Sequence, residues 1–414
     1  MKYLLTFIFI FSFIVAFSQD LQRVRKNLDT LCSPTMAGRG YLENGDRKAA
    51  NYIAQRFFEL NLKPFGKDFF QIFPIDINVF PKIELILGKQ KLTEGEDFII
   101  NPNSLSAKGK AKVFLLDTLI FSEEKVKKAF LNLKLSDKIL VYHSKFQERI
   151  NKLSTEFQQK IAESKAILIF KPKLTMSLAQ IQNSIPIFEV SDKFFTSQIT
   201  GISFIVQAKL LQNYETQNVI GYFEGTEKPD SLLVFSAHYD HLGKLGNAIF
   251  YGANDNASGI SMLLELADHF KRNPPKYSVA FIAFGAEEIG LLGSQYFVEF
   301  PLFDLKKIKF LLNIDLVGTG VEGAMVVNGT IFKKEFEILH SINATQQFFV
   351  KLGKRGQAAN SDHYFFYLKG VKCFFIYTLG GIQAYHDVFD KAQTLPLSHY
   401  SQLYQLILDF VGQL

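Results

Sequence analysis

The chain has 414 residues, 48% of them hydrophobic and 21% charged, which excludes a disordered chain and leaves room for two domains or one large interrupted one. The net charge of +6 is modest for that length, and no dense Lys/Arg cluster stands out, so nucleic-acid binding has little support.

Met1-Lys2 leads into the apolar stretch YLLTFIFIFSFIVAF and then Ser18-Gln19-Asp20. A positive start, an apolar run and small residues at Ala16 and Ser18 predict a secretory signal peptide over residues 1–18. The expected location is therefore outside the cytoplasm, periplasmic or extracellular, with no membrane role beyond signal-mediated export. An uncleaved anchor is the alternative, but the run is shorter than the ~20 residues of a comfortable span. Export permits a disulfide between Cys32 and Cys373, the only two cysteines. Two buried thiols are the other reading.

Asn44 to Leu60 reads as a helix, because Ala49, Ile53, Phe57 and Leu60 share one face at helical spacing. The preceding AGRG reads as a loop. Between residues 74 and 209 short apolar runs recur: IELIL, KVFLL, KILVY, AILIF, PIFEV and SFIVQ. Lys-rich stretches separate them, and 146–165 has helical character. This density of short strands predicts a β-rich inserted domain. It carries one His, His143, and no cluster of metal-ligand type, so its expected role is structural.

From Thr216 onward strands and helices alternate. NVIGYF, LLVFSA, YSVAFIAF, KIKFLLNI and CFFIY read as strands. Helices are expected from Ser258, after Gly290, over Phe332 to Ala344 and from Ser398. Continuous apolar strands between helices predict an α/β fold, a largely parallel or mixed doubly wound sheet with helices on both faces. Ligands of such a sheet bind beyond the strand carboxyl ends.

His238, Glu287, Glu288 and Asp315 fall there, among the candidate site residues. His238 and Asp240 lie in SAHYDHLG, Asp255 in GANDNASG, Glu287 and Glu288 in AFGAEEIG, Asp315 in NIDLVG, and Tyr385 and His386 in AYHDVFD. Each alone has a bland reading: a loop His, a helix N-cap Asp, a solvated Glu pair, a strand-end Asp. All of those readings would have to hold at once. Residues two apart in an extended segment face the same side, so Asp240 can serve His238. Adjacent carboxylates after an apolar strand repel each other unless a cation is near. A charge at Asp315, in apolar surroundings, is costly unless paired or metal-bound. No G-x-S-x-G, G-x-G-x-x-G or P-loop is present, and neither Cys lies in a catalytic segment.

Taken in order and spacing, these segments resemble the M28 metallopeptidases, the di-zinc aminopeptidase group, over about Leu28–Phe73 and Thr216 to the C-terminus. LCSPTMAGRG and SDHYFF add to the likeness. Asn254 stands where many members carry Asp, and the adjacent Asp255 is intact. Residues 74–209 resemble the protease-associated domain that often interrupts this fold. The implied organisation is a signal peptide, a discontinuous peptidase domain (19–73 and 210–414) and the insertion. The resemblance implies two Zn2+: His238 and Asp315 on one, Glu288 and His386 on the other, and Asp255 bridging. Asp240 would orient His238, Glu287 would be the general base, and Tyr385 would stabilise the tetrahedral intermediate. Peptides are the implied substrates.

Two imidazoles beside the carboxylates favour zinc over magnesium. His241 is expected to support the site or be structural, His363 to line the substrate pocket or pack, and His143, His269, His340 and His399 to be structural or on the surface. Arg39 and Arg355 lie in segments that approach the site, where a cation would suit a carboxypeptidase. Phe and Tyr around 364–367 are the expected apolar lining. Two other functions fit the same fold: a single-zinc glutaminyl cyclase, for which the ligand set is too complete, and a non-catalytic peptide-binding protein, which would have lost ligands.

Overall fold

The apolar run LLVFSA becomes the centre of a sheet. In the computed structural model, which describes residues 19–195 and 201–414, the strand Lys228–His238 lies between Tyr277–Phe284 and Ile308–Ile314, parallel to both. Cys373–Leu379 continues the parallel set beside Ile308–Ile314. Antiparallel strands flank it, Gly323–Val327 on one side and Gly201–Phe223 on the other. The predicted signal peptide, 1–18, lies outside the described residues. Among the described residues no helix is long and apolar enough to cross a membrane.

The strand period of two sends Leu233, Phe235 and Ala237 to one face and Leu232 and Val234 to the other. The first face is covered by the helices Leu21–Leu31, Gly45–Glu59, Ser258–Arg272, Lys333–Gln346 and Tyr400–Gly412. Leu292–Glu299 and His363–Leu368 cover the second. Each buried Leu or Phe contributes about 1.5–3 kcal/mol, so a strand apolar on both faces is stable only with both layers present. The helix Leu21–Leu31 was absent from the sequence reading. Its signal is there: Val24, Leu28 and Leu31 share one buried stripe, and Asp20 accepts from the amides of Gln22 and Arg23.

Two strands are unusually long. Phe70–Leu87 and Gly201–Phe223 pair antiparallel from Phe70↔Val219 to Leu87↔Ile202. SFIVQ and NVIGYF, read separately in the sequence, are the two ends of one strand. Between these strands Ala107–Leu115, Lys138–His143, Ala166–Lys171 and Ile187–Ser191 form a second parallel set, edged by antiparallel Phe98–Ile100. One helical stretch was expected here, and the described residues have three α-helices there, Glu124–Leu131, Gln147–Asn151 and Thr155–Ala162. They bury Phe130, Ile150, Phe157 and Ile161 on one face. The opposite face packs around Phe98, Phe170 and Phe188 and also takes in Leu242, Phe250 and Val388 from the C-terminal half.

Cys32 and Cys373 are both free and buried, so the disulfide alternative is not realised. Cys32 follows the first helix, whereas Cys373 opens a central strand. Burial pushes each thiol up to about 12.

Candidate metal centre

His238 is the last residue of the central strand. Of the parallel strands that follow it in the chain, Tyr277–Phe284 lies to one side of it and Ile308–Ile314 to the other. The chain reverses direction across the sheet at this point, which opens a crevice beyond the strand ends. A cavity of about 380 Å³ lies there, lined by His238, Asp255, Glu287, Glu288, Asp315, Leu316, Asn360, Phe375, Tyr377, Tyr385 and His386. The sequence-predicted residues thus converge from five segments, with Asp240 fully buried behind them.

Asp255 is the geometric centre. Its Oδ1 lies 3.2 Å from His238 Nε2, and its Oδ2 lies 3.1 Å from His386 Nε2. His238 Nε2 is also 3.4 Å from Asp315 Oδ1, and His386 Nε2 is 3.1 Å from Glu288 Oε2. Glu287 Oε2 stands further off, 4.0 Å from His238 Nε2. Two sets of ligand atoms, His238/Glu287/Asp315 and His238/Asp255/Glu288, each fall within 4.8 Å of one another. Donor atoms about 2.0–2.2 Å from a zinc ion sit roughly 3.3–3.5 Å apart at tetrahedral angles. The separations in this cluster, from 3.1 to 3.4 Å, come close to that spacing, and the buried Asp315 Oδ1 has no hydrogen-bond partner. The residues therefore fit metal ions.

Electrostatics point the same way. Burial opposes a charged His238, yet Glu287 and Asp315 lift it well above the usual imidazole range. Burial also opposes charge on His386, but Glu288 and Asp255 raise it to about 11. Burial opposes charge on Asp255, which contact with both imidazoles nevertheless holds well below the carboxylate range. Glu288 is drawn down to about 2: burial and Asp255 work against its charge, and His386 and His241 outweigh them. Burial raises Glu287 well above its ordinary value, with Glu288, Asp362 and Asp315 adding to the effect. Burial raises Asp315 as well.

Asp240 does more than the sequence pattern implied. Its backbone carbonyl is 3.2 Å from His238 Nδ1, closer than its carboxylate at 3.7 Å. The carboxylate instead accepts from the amides of Glu287 (3.1 Å) and Glu288 (3.3 Å) and from the Tyr41 hydroxyl (3.3 Å). It clamps the turn that presents the Glu pair. His241 Nδ1 lies 2.6 Å from Glu288 Oε1, so it orients that carboxylate. Its ring lies against Gly252, where a Cβ would come within 2.4 Å of the imidazole and the φ of +59° suits glycine. Tyr385 stacks on His386 with ring centroids 4.0 Å apart.

Several partners escaped the sequence reading. Asp390 accepts from the amides of Asn254 (2.9 Å) and Asp255 (3.0 Å), and Ser361 Oγ donates to Asp315 Oδ2 at 3.2 Å. Both lie inside segments already singled out, YHDVFD and SDHYFF. For His363 the packing alternative holds, and two other expectations are corrected. His363 is not a pocket residue: it is fully buried and packs against Phe375, which does line the cavity. Residues 364–367 belong to the helix behind that wall, so the apolar lining is Leu316, Phe375 and Tyr377 instead. Arg39 is fully buried and donates to the carbonyls of Tyr239 (2.7 Å), Tyr251 (2.6 Å), Gly252 (2.7 Å), Leu31 (3.2 Å) and Asp255 (3.1 Å), leaving none of its charge facing substrate. Each stranded buried acceptor costs about 1–3 kcal/mol. Arg39→Leu is therefore expected to destabilise the fold by about 3 kcal/mol or more, measurable by urea unfolding.

A mixed sheet with this cluster at its switch point has the zinc-aminopeptidase fold. Residues 218–411 match Peptidase family M28. The aminopeptidase YwaD of Bacillus subtilis is 31% identical over 220 residues, 51% of this chain and 47% of that protein. A probable zinc metalloprotease of Pyrenophora teres is 36% identical over 105 residues, 24% of this chain and 22% of that protein. The chain thus spans less than half the length of these curated relatives. In overall fold it is similar to the zinc aminopeptidase BSAP from Bacillus subtilis, with a TM-score of 0.69 and 21% identity over 95% of this chain and 94% of that one. A peptidase M28 precursor from Shewanella amazonensis gives a TM-score of 0.68 at 16% identity, over 94% and 93%.

Proposed function

We propose that the protein is an exported, zinc-dependent aminopeptidase that uses two zinc ions, with residues 74–209 as an inserted domain of protease-associated type. The observation that carries this reading is the division of the Asp255 carboxylate between two imidazole–carboxylate pairs. His238 and Asp315 would hold one ion, Glu288 and His386 the other, and Asp255 would bridge them. Four carboxylates line the cavity, a charge that two divalent cations match. The zinc named in the Pyrenophora relative and in BSAP supports the choice of metal.

When bound, zinc supplies Lewis acidity at the scissile carbonyl and lowers the pKa of water. Glu287 accepts a proton from the attacking water and returns it to the leaving amine. The Asp240 carboxylate keeps Glu287 in place through its amide. The Tyr385 phenol, held protonated by burial and by the carboxylates of Asp255 and Glu288, donates to the developing oxyanion. Acidic groups suit a substrate α-ammonium. Among the described residues no Lys or Arg lines the cavity; Arg355 is exposed and its Nη1 lies 3.4 Å from the Tyr377 hydroxyl. Leu316, Phe375 and Tyr377 favour apolar N-terminal side chains.

A panel of free and N-blocked aminoacyl chromogenic peptides tests this reading, with and without chelator. Hydrolysis of the free set alone, abolished by chelator, is expected; cleavage of only the blocked set contradicts it. Zinc affinity should also rise with pH. An imidazole must lose a proton to ligate, and His386 in the metal-free protein holds its proton up to about pH 11. Each zinc should therefore displace protons at pH 7, and binding should weaken by about 10-fold per pH unit for each proton displaced as pH falls. Calorimetry in buffers of different ionisation enthalpy counts those protons.

A further inference from the structure

We propose that the loop from Lys173 to Gln180, part of the 74–209 insertion, is a positioning element for one half of the metal centre, the half built from Glu288 and His386. The inference rests on the two-zinc reading and assigns the inserted segment a task within it.

His386 has a φ of 53°, a left-handed conformation that residues other than glycine hold only where neighbours enforce it. The loop binds it from both directions. The Met176 amide donates to the His386 carbonyl at 2.9 Å, and the Met176 carbonyl lies 3.1 Å from His386 Nδ1. The second contact keeps a proton on Nδ1 and leaves Nε2 turned toward Asp255 and Glu288, each 3.1 Å away.

Further ties secure the same stretch. Lys173 Nζ donates to the Gln383 carbonyl at 2.7 Å. Val388 is buried in the core of the inserted segment, so close that a Cβ on Gly95 would lie 2.6 Å from it. At the other end of the loop, Gln180 Nε2 donates to the carbonyl of Ile289, the residue after Glu288, at 3.2 Å. The buried side chains of Leu174 and Met176 anchor the loop. The other half of the centre is held without it: Ser236 Oγ donates to Asn313, Asn313 to Ser361, and Ser361 to Asp315. The ties are thus asymmetric, and only one ion depends on the insertion.

Zinc titration calorimetry on the metal-free full chain tests this. Wild type should show two binding events, one of which His386→Ala removes. The double variant Lys173→Ala/Gln180→Ala should weaken that same event about 10-fold or more and leave the other unchanged. Lys173→Arg, which keeps the donor to Gln383, should restore most of the loss in that background. Ser361→Ala should weaken the opposite event. Met176→Pro, which deletes the amide donor, should act like the double variant; should it fail to fold, the double variant decides, since Lys173 and Gln180 are exposed. Equal weakening of both events, or of neither, overturns the role of the loop alone. A wild type that takes fewer than two ions overturns the two-zinc reading and this proposal together.

Discussion

Glu287→Gln is expected to lower kcat by about 10²–10⁴-fold while the protein keeps its full zinc content. The two carboxylates of the Glu287-Glu288 pair have different surroundings. Glu288 touches His241 and His386, whereas Glu287 stands 4.0 Å from the nearest imidazole nitrogen, outside the close contacts around Asp255. Its amide is fixed by Asp240 whatever the side chain becomes. Gln keeps the size and one oxygen but cannot accept the water's proton. Steady-state kinetics with metal analysis on the same sample separates the outcomes. Wild-type activity removes Glu287 from the role of base. Lost zinc would instead make it a ligand with His238 and Asp315, an alternative the 4.8 Å grouping leaves geometrically open.

Asp255→Asn should be as damaging by a different route. Oδ1 faces His238 and Oδ2 faces His386, so both oxygens are in use. An amide offers one oxygen and one NH2 group, and the NH2 side repels a cation. The backbone would stay in place, since Asp390 holds the amide of residue 255 and Arg39 its carbonyl. The variant should retain at most one tight zinc and lose at least ~100-fold in activity at limiting zinc, the upper range already seen when only an outer partner of a ligand is removed. Two ions bound with wild-type affinity would show that Asp255 does not bridge.

Much of the cluster was legible because the fold gathers its side chains by a simple rule. His238, Glu287 and Asp315 follow apolar strands, and in a parallel sheet those ends share one edge. Asp255 and His386 lie in loops, but in segments whose motif and order match a known family. The supporting contacts were less visible. Arg39 looked available for substrate because nothing in AGRG reveals that its guanidinium would meet five carbonyls, four of them from distant segments. Main-chain partners such as the Met176 carbonyl have no residue-type signature, so no pattern in residues 74–209 betrays a link to His386 some 210 positions away. The pocket wall was misplaced for a related reason. Phe366 and Phe375 are equally apolar, and only the packing of the helix His363–Leu368 behind the strand Cys373–Leu379 decides which one faces the cavity.

The most direct test of the two-ion centre is anomalous X-ray diffraction at the zinc absorption edge from crystals of the zinc-loaded protein. Two peaks are expected, one on each side of the Asp255 carboxylate, the first beside His238 and Asp315 and the second beside Glu288 and His386. A single peak, or peaks away from Asp255, would contradict it.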